Sequence, residues 1–302
     1  MEIDPEQVAE KLLLFIEGAM GVLKRDGLIL GLSGGIDSAV IAALCARVAG
    51  PNKVLALLMP EKDSNKRHLA DAKTLADTLK LKTKLVDITP YLKQIGIYRI
   101  FPVDALVPGK YLEKMITGSY KYISKKAKSP YFLKTLLNTE TGLYGNIMRR
   151  SFAYYRAKHR MRMLMLYLYA EQENRLVVGA ANKTEYQIGF FVKHGIDSAT
   201  DIMPIMTLYK TQVIALAKYL SLPSYIIDKP PSPDILPGLE DEAAIGLDYK
   251  TLDLILLAME KDWSDLEIET SLAEIGVTRG DIVYVRQLMT DSSHMRQVYV
   301  PD

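Results

Sequence analysis

The sequence predicts an α/β fold: a doubly wound parallel sheet flanked by helices, with a mid-chain insertion. Three observations lead there. Short apolar runs at 28–32, 54–59 and 85–88 alternate with helix-length segments, and strand–helix–strand order implies parallel pairing through crossovers. A glycine turn, Ser33-Gly34-Gly35, joins the first run to a helix. Between residues 98 and 150 the alternation stops in a stretch rich in Pro, Gly, Tyr and basic side chains, including Lys121, Lys125, Lys126 and Lys128.

Each element has a local reason. Asp4 and Pro5 suit a helix cap and a first helical position, and Val8, Leu12, Phe15, Ile16 and Met20 continue at helical spacing toward Gly27. Residues 28–32 form a buried strand. Ala39, Ile41, Leu44 and Val48 mark a helix that stops at Gly50-Pro51. A strand at 54–59, a helix at 66–80 and a strand at 85–88 follow. After the insertion come a long helix over 151–172, a strand at 176–178, a short strand at 202–205 and a helix over 210–219. A Pro-rich loop at 229–238 leads to helices at 249–259, 265–275 and 279–290. The 302 residues read as a single domain, with 98–150 inserted within it.

Composition bounds the function. With 49% hydrophobic and 25% charged residues, the chain can build one large core. A net charge of +2 gives no strong overall pull toward nucleic acid or a membrane surface. The lone Cys45 forms no internal disulfide and sits in an apolar run, where a small buried side chain is expected. No apolar run approaches the roughly 20 residues of a spanning helix, and the acidic N-terminus is no signal peptide. A cytoplasmic protein is expected. His68, His159, His194 and His294 show no metal-ligand spacing, and Met161, Met163 and Met165 are expected to pack a helix face.

The chemistry begins at Leu30-Gly31-Leu32-Ser33-Gly34-Gly35-Ile36-Asp37-Ser38. A strand ending in this turn and entering a helix aims several backbone N–H groups at one point, where the helix dipole favours an anion. Glycines let phosphate oxygens approach the main chain, and Ser33 and Ser38 add hydroxyls. Asp37 would repel a bare phosphate, so its expected role is to hold a Mg²⁺ that the phosphates share. No lysine follows as in GxxxxGK[ST], and GxGxxG is absent.

These residues resemble the pyrophosphate loop of the N-type ATP pyrophosphatases, adenine nucleotide alpha hydrolase-like enzymes that adenylate a carboxylate or carbonyl. The loop alone leaves several members open, and distant segments decide between them. Arg160-Met161-Arg162-Met163 resembles the KARxRM helix of NAD⁺ synthetases. Val177-Val178-Gly179 with Asn182-Lys183-Thr184-Glu185 is similar to their VVGTxNKSE. Gly189-Phe190-Phe191-Val192-Lys193 resembles GYFTK, and Asp201-Ile202-Met203-Pro204 with Leu208-Tyr209-Lys210-Thr211 resembles DILP..xLYKT. Lys229-Pro230-Pro231-Ser232, Pro237-Gly238 and Asp241-Glu242 resemble KPPSAxLxPGQxDE, and His294-Met295-Arg296 stands in place of HKR.

The resemblance implies an ATP-dependent amide ligase that adenylates deamido-NAD⁺ and transfers ammonia to give NAD⁺, AMP and pyrophosphate, with ATP as co-substrate and Mg²⁺. A chain of this length leaves no room for a glutaminase domain, so free ammonia is the expected donor. Asp37, Glu185 and Lys210 are then the catalytic set, with Asp37 and Glu185 on the metal. Gly31, Leu32, Ser33, Gly34, Gly35, Ile36, Asp37, Ser38, Lys210 and Ser232 surround ATP. Arg160, Lys193, Asp201 and His294 contact deamido-NAD⁺, partly across a homodimer interface. Ala180 replaces a threonine, Met295 a lysine, Val192 a threonine and Arg156 an asparagine of the family pattern, and the KYGDGG loop is altered at 193–199. A related ATP pyrophosphatase acting on another carboxylate or on RNA therefore stays open. The insertion is a lid, an RNA surface or a solvated appendage.

Overall fold

The computed structural model describes residues 2–100, 142–232 and 240–300. Residues 101–141 of the expected insertion and 233–239 of the Pro-rich loop lie outside the described residues.

Four parallel strands form the sheet in the order β3-β2-β1-β4. They are β1 (Gly27–Gly31), β2 (Val54–Leu58), β3 (Lys82–Leu85) and β4 (Arg175–Val177). Side chains on β1 alternate between two cores, as the two-residue period of a strand requires. Leu28 and Leu30 pack into one with Ala56, Leu176 and Val178; Ile29 packs into the other with Leu55, Leu57 and Val177. Helices cover both faces, which makes the sheet doubly wound.

The first face carries α1 (Pro5–Val22), α2 (Ile36–Ala49) and α3 (Lys66–Thr78). Asp4 caps α1 by accepting from the Glu6 and Gln7 amides at 3.1 and 3.2 Å. The second face carries α4 (Thr89–Gln94), α5 (Ile97–Ile100) and the long α6 (Gly142–Gln172). Beyond β4 the chain forms α7 (Lys183–Ile188), α8 (Lys210–Tyr219), α9 (Ser224–Ile227) and α10 (Asp241–Ile245). It ends in α11 (Tyr249–Glu260), α12 (Asp265–Ser271) and α13 (Arg279–Asp291). Helix α8 packs on the first face, whereas α7, α10, α11 and α13 share a separate helical core around Ile188, Ile245, Leu252 and Val285. Among the described residues no helix is long and apolar enough to cross a membrane.

Five expected boundaries move, each for a physical reason. Helix α1 ends at Val22 rather than near Gly27, because Lys24 takes a left-handed conformation (φ 50°) that turns the chain into β1. The third strand is residues 82–85, not 85–88. It is the sheet edge, exposed along its length and rich in lysine, while Val86 and Ile88 bury their side chains just beyond the pairing. Residues 202–205 form a single bridge, Val178 to Ile202, because Pro204 has no N–H to donate and starts a 3₁₀ turn. Helix α6 begins at Gly142, nine residues before the expected start at 151, and runs through Gly145. The helix expected over 265–275 stops at Ser271 and continues as a 3₁₀ turn to Ile275, with Gly276 at φ 81° behind it. Cys45 is fully buried, and burial pushes its thiol well above the usual range.

Candidate active site

The first three residues of α2 form one side of a cleft of about 360 Å³. The loop before them is held by its own hydroxyls. Ser38 Oγ donates to the Gly35 carbonyl at 3.0 Å, and the two serine hydroxyls lie 3.0 Å apart. The Gly35 amide donates to Ser33 Oγ at 3.2 Å. Gly34 has φ 80°, and a Cβ there would sit 2.4 Å from the His68 carbonyl oxygen. Only glycine fits that combination of backbone angle and close approach. Lys229 braces the loop from outside, donating to the Gly34 carbonyl at 3.1 Å and to Asp71 at 2.7 Å.

At the mouth of this loop stands Lys210, 1% exposed at the start of α8. Its ammonium lies 2.6 Å from Asp37 Oδ2 and 3.0 Å from Glu185 Oε1. Asn182 ties the arrangement together. Its Oδ1 caps α7 by accepting from the Glu185 amide at 3.0 Å, and its Nδ2 donates to Asp37 Oδ1 at 3.0 Å. The cap fixes the helix that carries Glu185, and the same side chain fixes Asp37.

Asp241, 4% exposed, brings a third carboxylate to this cluster and accepts from the Tyr249 hydroxyl at 2.9 Å. Three carboxylates thus face one ammonium. Burial disfavours charge on Lys210, yet Asp37, Glu185 and Asp241 outweigh it and hold the ammonium protonated well above its usual range. The carboxylates share the converse pressure. Burial pushes Glu185 up to about 8 against the pull of Lys210, with Asp37 and Asp241 adding to the rise. Burial likewise pushes Asp241 up to about 6, opposed by Lys210.

The Asp241 shift has a sign that can be checked. A carboxyl whose folded pKa is raised favours the fold below its unfolded value of 3.8, and that advantage is lost as pH rises through about 6. Asp241→Asn keeps an acceptor for Tyr249 and removes the titration. We expect the variant to gain roughly 2 kcal/mol over the wild type at pH 7.5 relative to pH 4. Denaturant melts at both pH values check it, and a pH-independent difference sinks it.

Behind the ion cluster lies a wholly buried anchor. Asp253, on α11 and 0% exposed, accepts from the Thr184 hydroxyl at 2.5 Å through Oδ1. Its Oδ2 accepts from the Thr211 amide and hydroxyl, both at 2.8 Å. Thr184 in turn accepts from the Lys210 amide at 2.9 Å. One carboxylate therefore pins the starts of α7 and α8, which carry Glu185 and Lys210.

The sequence-selected residues fall into two groups. Gly31, Leu32, Ser33, Gly35, Ile36, Asp37, Ser38, Glu185, Lys210 and Ser232 all line the cleft, and Gly34 is buried beneath the loop. Arg160, Lys193, Asp201 and His294 lie outside it. The exposed Arg160 donates to the Lys193 carbonyl at 3.2 Å, and Lys193 Nζ donates to the His294 carbonyl at 2.8 Å. His294 Nδ1 lies 2.8 Å from the Asp291 carbonyl oxygen. Asp201 stands apart, accepting from the Val177 amide at 2.9 Å and the Tyr167 hydroxyl at 3.1 Å. All four altered positions, Ala180, Met295, Val192 and Arg156, line the cleft. Sequence reasoning gave no role to Asn182, Asp241 or Asp253. Asn182 three residues before Glu185 carried a legible capping signal; Asp253 carried none.

The NAD synthase family model matches residues 8–99 and 133–299. The chain belongs to the NAD synthase family. The family match is interrupted inside the expected insertion. The NH(3)-dependent NAD(+) synthetase of Thermotoga neapolitana is 43% identical over 253 residues, covering 84% of each chain. Among solved structures, the NMN synthetase of Francisella tularensis superposes with a TM-score of 0.70 at 25% identity, over 100% of this chain and 99% of that one. The NH3-dependent NAD synthetase of Campylobacter jejuni superposes with a TM-score of 0.66 at 27% identity, over 99% of each. The NAD synthase fold in these neighbours matches the parallel, helix-flanked sheet described above.

Proposed function

We propose that this chain is an ammonia-dependent NAD⁺ synthetase: ATP and deamido-NAD⁺ give an acyl-adenylate and pyrophosphate, and ammonia then displaces AMP to form NAD⁺. The observation that carries the reading is the buried Lys210 held between Asp37 and Glu185 at the mouth of the glycine loop. A carboxylate oxygen is a poor leaving group, so amide formation requires activation. The substrate carboxylate attacks the α-phosphorus of ATP, the bond to pyrophosphate breaks, and AMP becomes the leaving group. Charge develops on the phosphoryl oxygens, and preorganised cations and N–H donors stabilise it. The loop amides and the hydroxyls of Ser33 and Ser38 would hold the departing pyrophosphate. Lys210 and Ser232 would neutralise and orient the ATP phosphates.

Asp37 and Glu185 fit Mg²⁺. Both reach one cationic position with hard oxygen donors, and three carboxylates against one ammonium leave negative charge that a divalent ion balances. Among the described residues no cluster of three His, Cys, Asp or Glu is spaced as a protein-only metal cage. Two carboxylates completed by phosphates and water are the usual Mg²⁺ environment. When bound, the ion supplies charge neutralisation across the triphosphate.

Arg160, Lys193, Asp201 and His294 would meet deamido-NAD⁺ in a homodimer. Leu164 and Leu168, 54% and 43% exposed, follow Arg160 at four-residue spacing along α6 and support a partner surface there. We assign the protein to the cytoplasm, in keeping with its single buried thiol.

The deciding experiment is pyrophosphate release with ATP, Mg²⁺ and ammonium, with and without deamido-NAD⁺, and with Asp37→Ala as the control. We expect release that requires deamido-NAD⁺, yields NAD⁺ and disappears in the variant. Protein that binds ATP yet ignores deamido-NAD⁺ would contradict the assignment.

A further inference from the structure

Helix α6 presents Phe152, Tyr155, Arg156, His159 and Arg162 to the cleft, one face at three- and four-residue spacing. The cations and carboxylates around it are already engaged, with one exception. Arg162 donates to the Met59 carbonyl at 3.2 Å, and Arg160 donates to the Lys193 carbonyl. Asp197, the carboxylate in the facing wall, is taken by His159, whose Nδ1 lies 3.1 Å away. Arg156 has no hydrogen-bond acceptor and no carboxylate among the described residues. Its guanidinium lies over the Phe152 ring, 5.2 Å from the centroid.

That arrangement is costly without a ligand. Burial and the neighbouring Arg160 both disfavour the charge on Arg156. Like charges one turn apart on a helix repel, and a half-buried guanidinium with no acceptor among the described residues forgoes hydrogen bonds there. An aromatic face recovers part of the loss and leaves the planar fork facing the cleft. A phosphate offers the oxygens such a fork takes in pairs, and its charge relieves the repulsion from Arg160.

We propose that Arg156 is an anion-binding residue of the cleft that takes a phosphate of the nucleotide bearing the acyl group. The inference rests on the proposed synthetase reaction for the identity of that nucleotide. It assigns a contact to a position where the family pattern has asparagine, so this chain would grip its acyl substrate by an added charge. Ala180 and Met295, which replace a hydroxyl and an ammonium of that pattern in the same cleft, are the losses such a contact would offset.

Arg156→Asn restores the family side chain and is compatible with the helix. In steady-state assays we expect its KM for deamido-NAD⁺ to rise about tenfold or more, with the KM for ATP unchanged. Arg156→Lys, which keeps the charge and loses the fork, should fall between the two. The ligand-free melting temperature of Arg156→Asn should equal or exceed that of the wild type, because a desolvated, repelled cation is gone. An unchanged KM for deamido-NAD⁺ overturns the proposal, and so does a rise confined to ATP, which would place the phosphate on the other substrate. A wild type without NAD⁺ synthesis refutes the reaction instead, and the anion site is then read without turnover. Inorganic pyrophosphate is titrated by calorimetry into protein saturated with a non-hydrolysable ATP analogue. Binding weakened about tenfold in Arg156→Asn supports the site, and equal binding overturns it.

Discussion

Lys210→Met is expected to lower pyrophosphate formation by about 10²–10³-fold, the loss typical of removing one preorganised charge from a developing anion. The same change leaves Asp37 and Glu185 facing each other without their shared ammonium. Removing one partner of a buried ion pair costs about 3–5 kcal/mol, and side-chain exposures of 18% and 16% place these carboxylates at the lower end. A stability loss of roughly 3 kcal/mol in metal-free buffer follows. The two effects separate through Mg²⁺. With the ammonium gone, the two carboxylates hold a cation more readily, so Mg²⁺ should raise the melting temperature of the variant more than that of the wild type. Turnover should stay low even when Mg²⁺ has restored the fold. Activity within tenfold of the wild type would show that Lys210 is a structural counter-ion rather than a catalytic group.

The second large effect is expected at Asp253, which never enters the cleft. Its two oxygens accept three hydrogen bonds, from Thr184 and twice from Thr211. All three groups donate to it, so Asp253→Ala takes away the shared acceptor of the Thr184 hydroxyl and of the Thr211 amide and hydroxyl. Each buried donor left without an acceptor costs about 1–3 kcal/mol. We expect the variant to lose roughly 3 kcal/mol. We also expect kcat to fall about 10²-fold, because the starts of α7 and α8 separate and Glu185 and Lys210 lose their common register. The KM for ATP should change far less than kcat, since the glycine loop is held by its own serines and by Lys229. Chemical denaturation and steady-state kinetics read the two parts. A variant that melts like the wild type and turns over normally would remove Asp253 from any positioning role.

The glycine-loop side of the cleft was legible because its signals are local. The SGGIDS stretch is short, its glycines answer to backbone geometry, and its serines bond within the loop. Lys210 and Glu185 were named from segments 25 residues apart, and they do meet, 3.0 Å from each other. Arg160, Lys193, Asp201 and His294 were named in the same way but do not line the cleft of a single chain. Local spacing says nothing of which side of the fold an exposed helix face ends up on.

Element boundaries failed where apolarity and pairing part company. Residues 85–88 read as a strand because Val86 and Ile88 are apolar and pack in the core with Leu55 and Leu57, while the hydrogen-bonded edge is the lysine-bearing segment ending at Leu85. A one-dimensional reading follows burial and has no access to which backbone is paired. The same limit hid Asp253, an ordinary carboxylate in an amphipathic helix until α7 and α8 fold against it.

By itself the sequence determined the alternating α/β order, the glycine turn and the residue types of that turn that line the cleft, since each depends on contacts between near neighbours in the chain. Tertiary structure alone decided that three carboxylates crowd one buried ammonium, that Asp253 pins two helix starts, and that Arg156 faces the cleft without an acceptor among the described residues. Those facts depend on the distance and desolvation of groups far apart in sequence, and charge in a protein takes its energy from both.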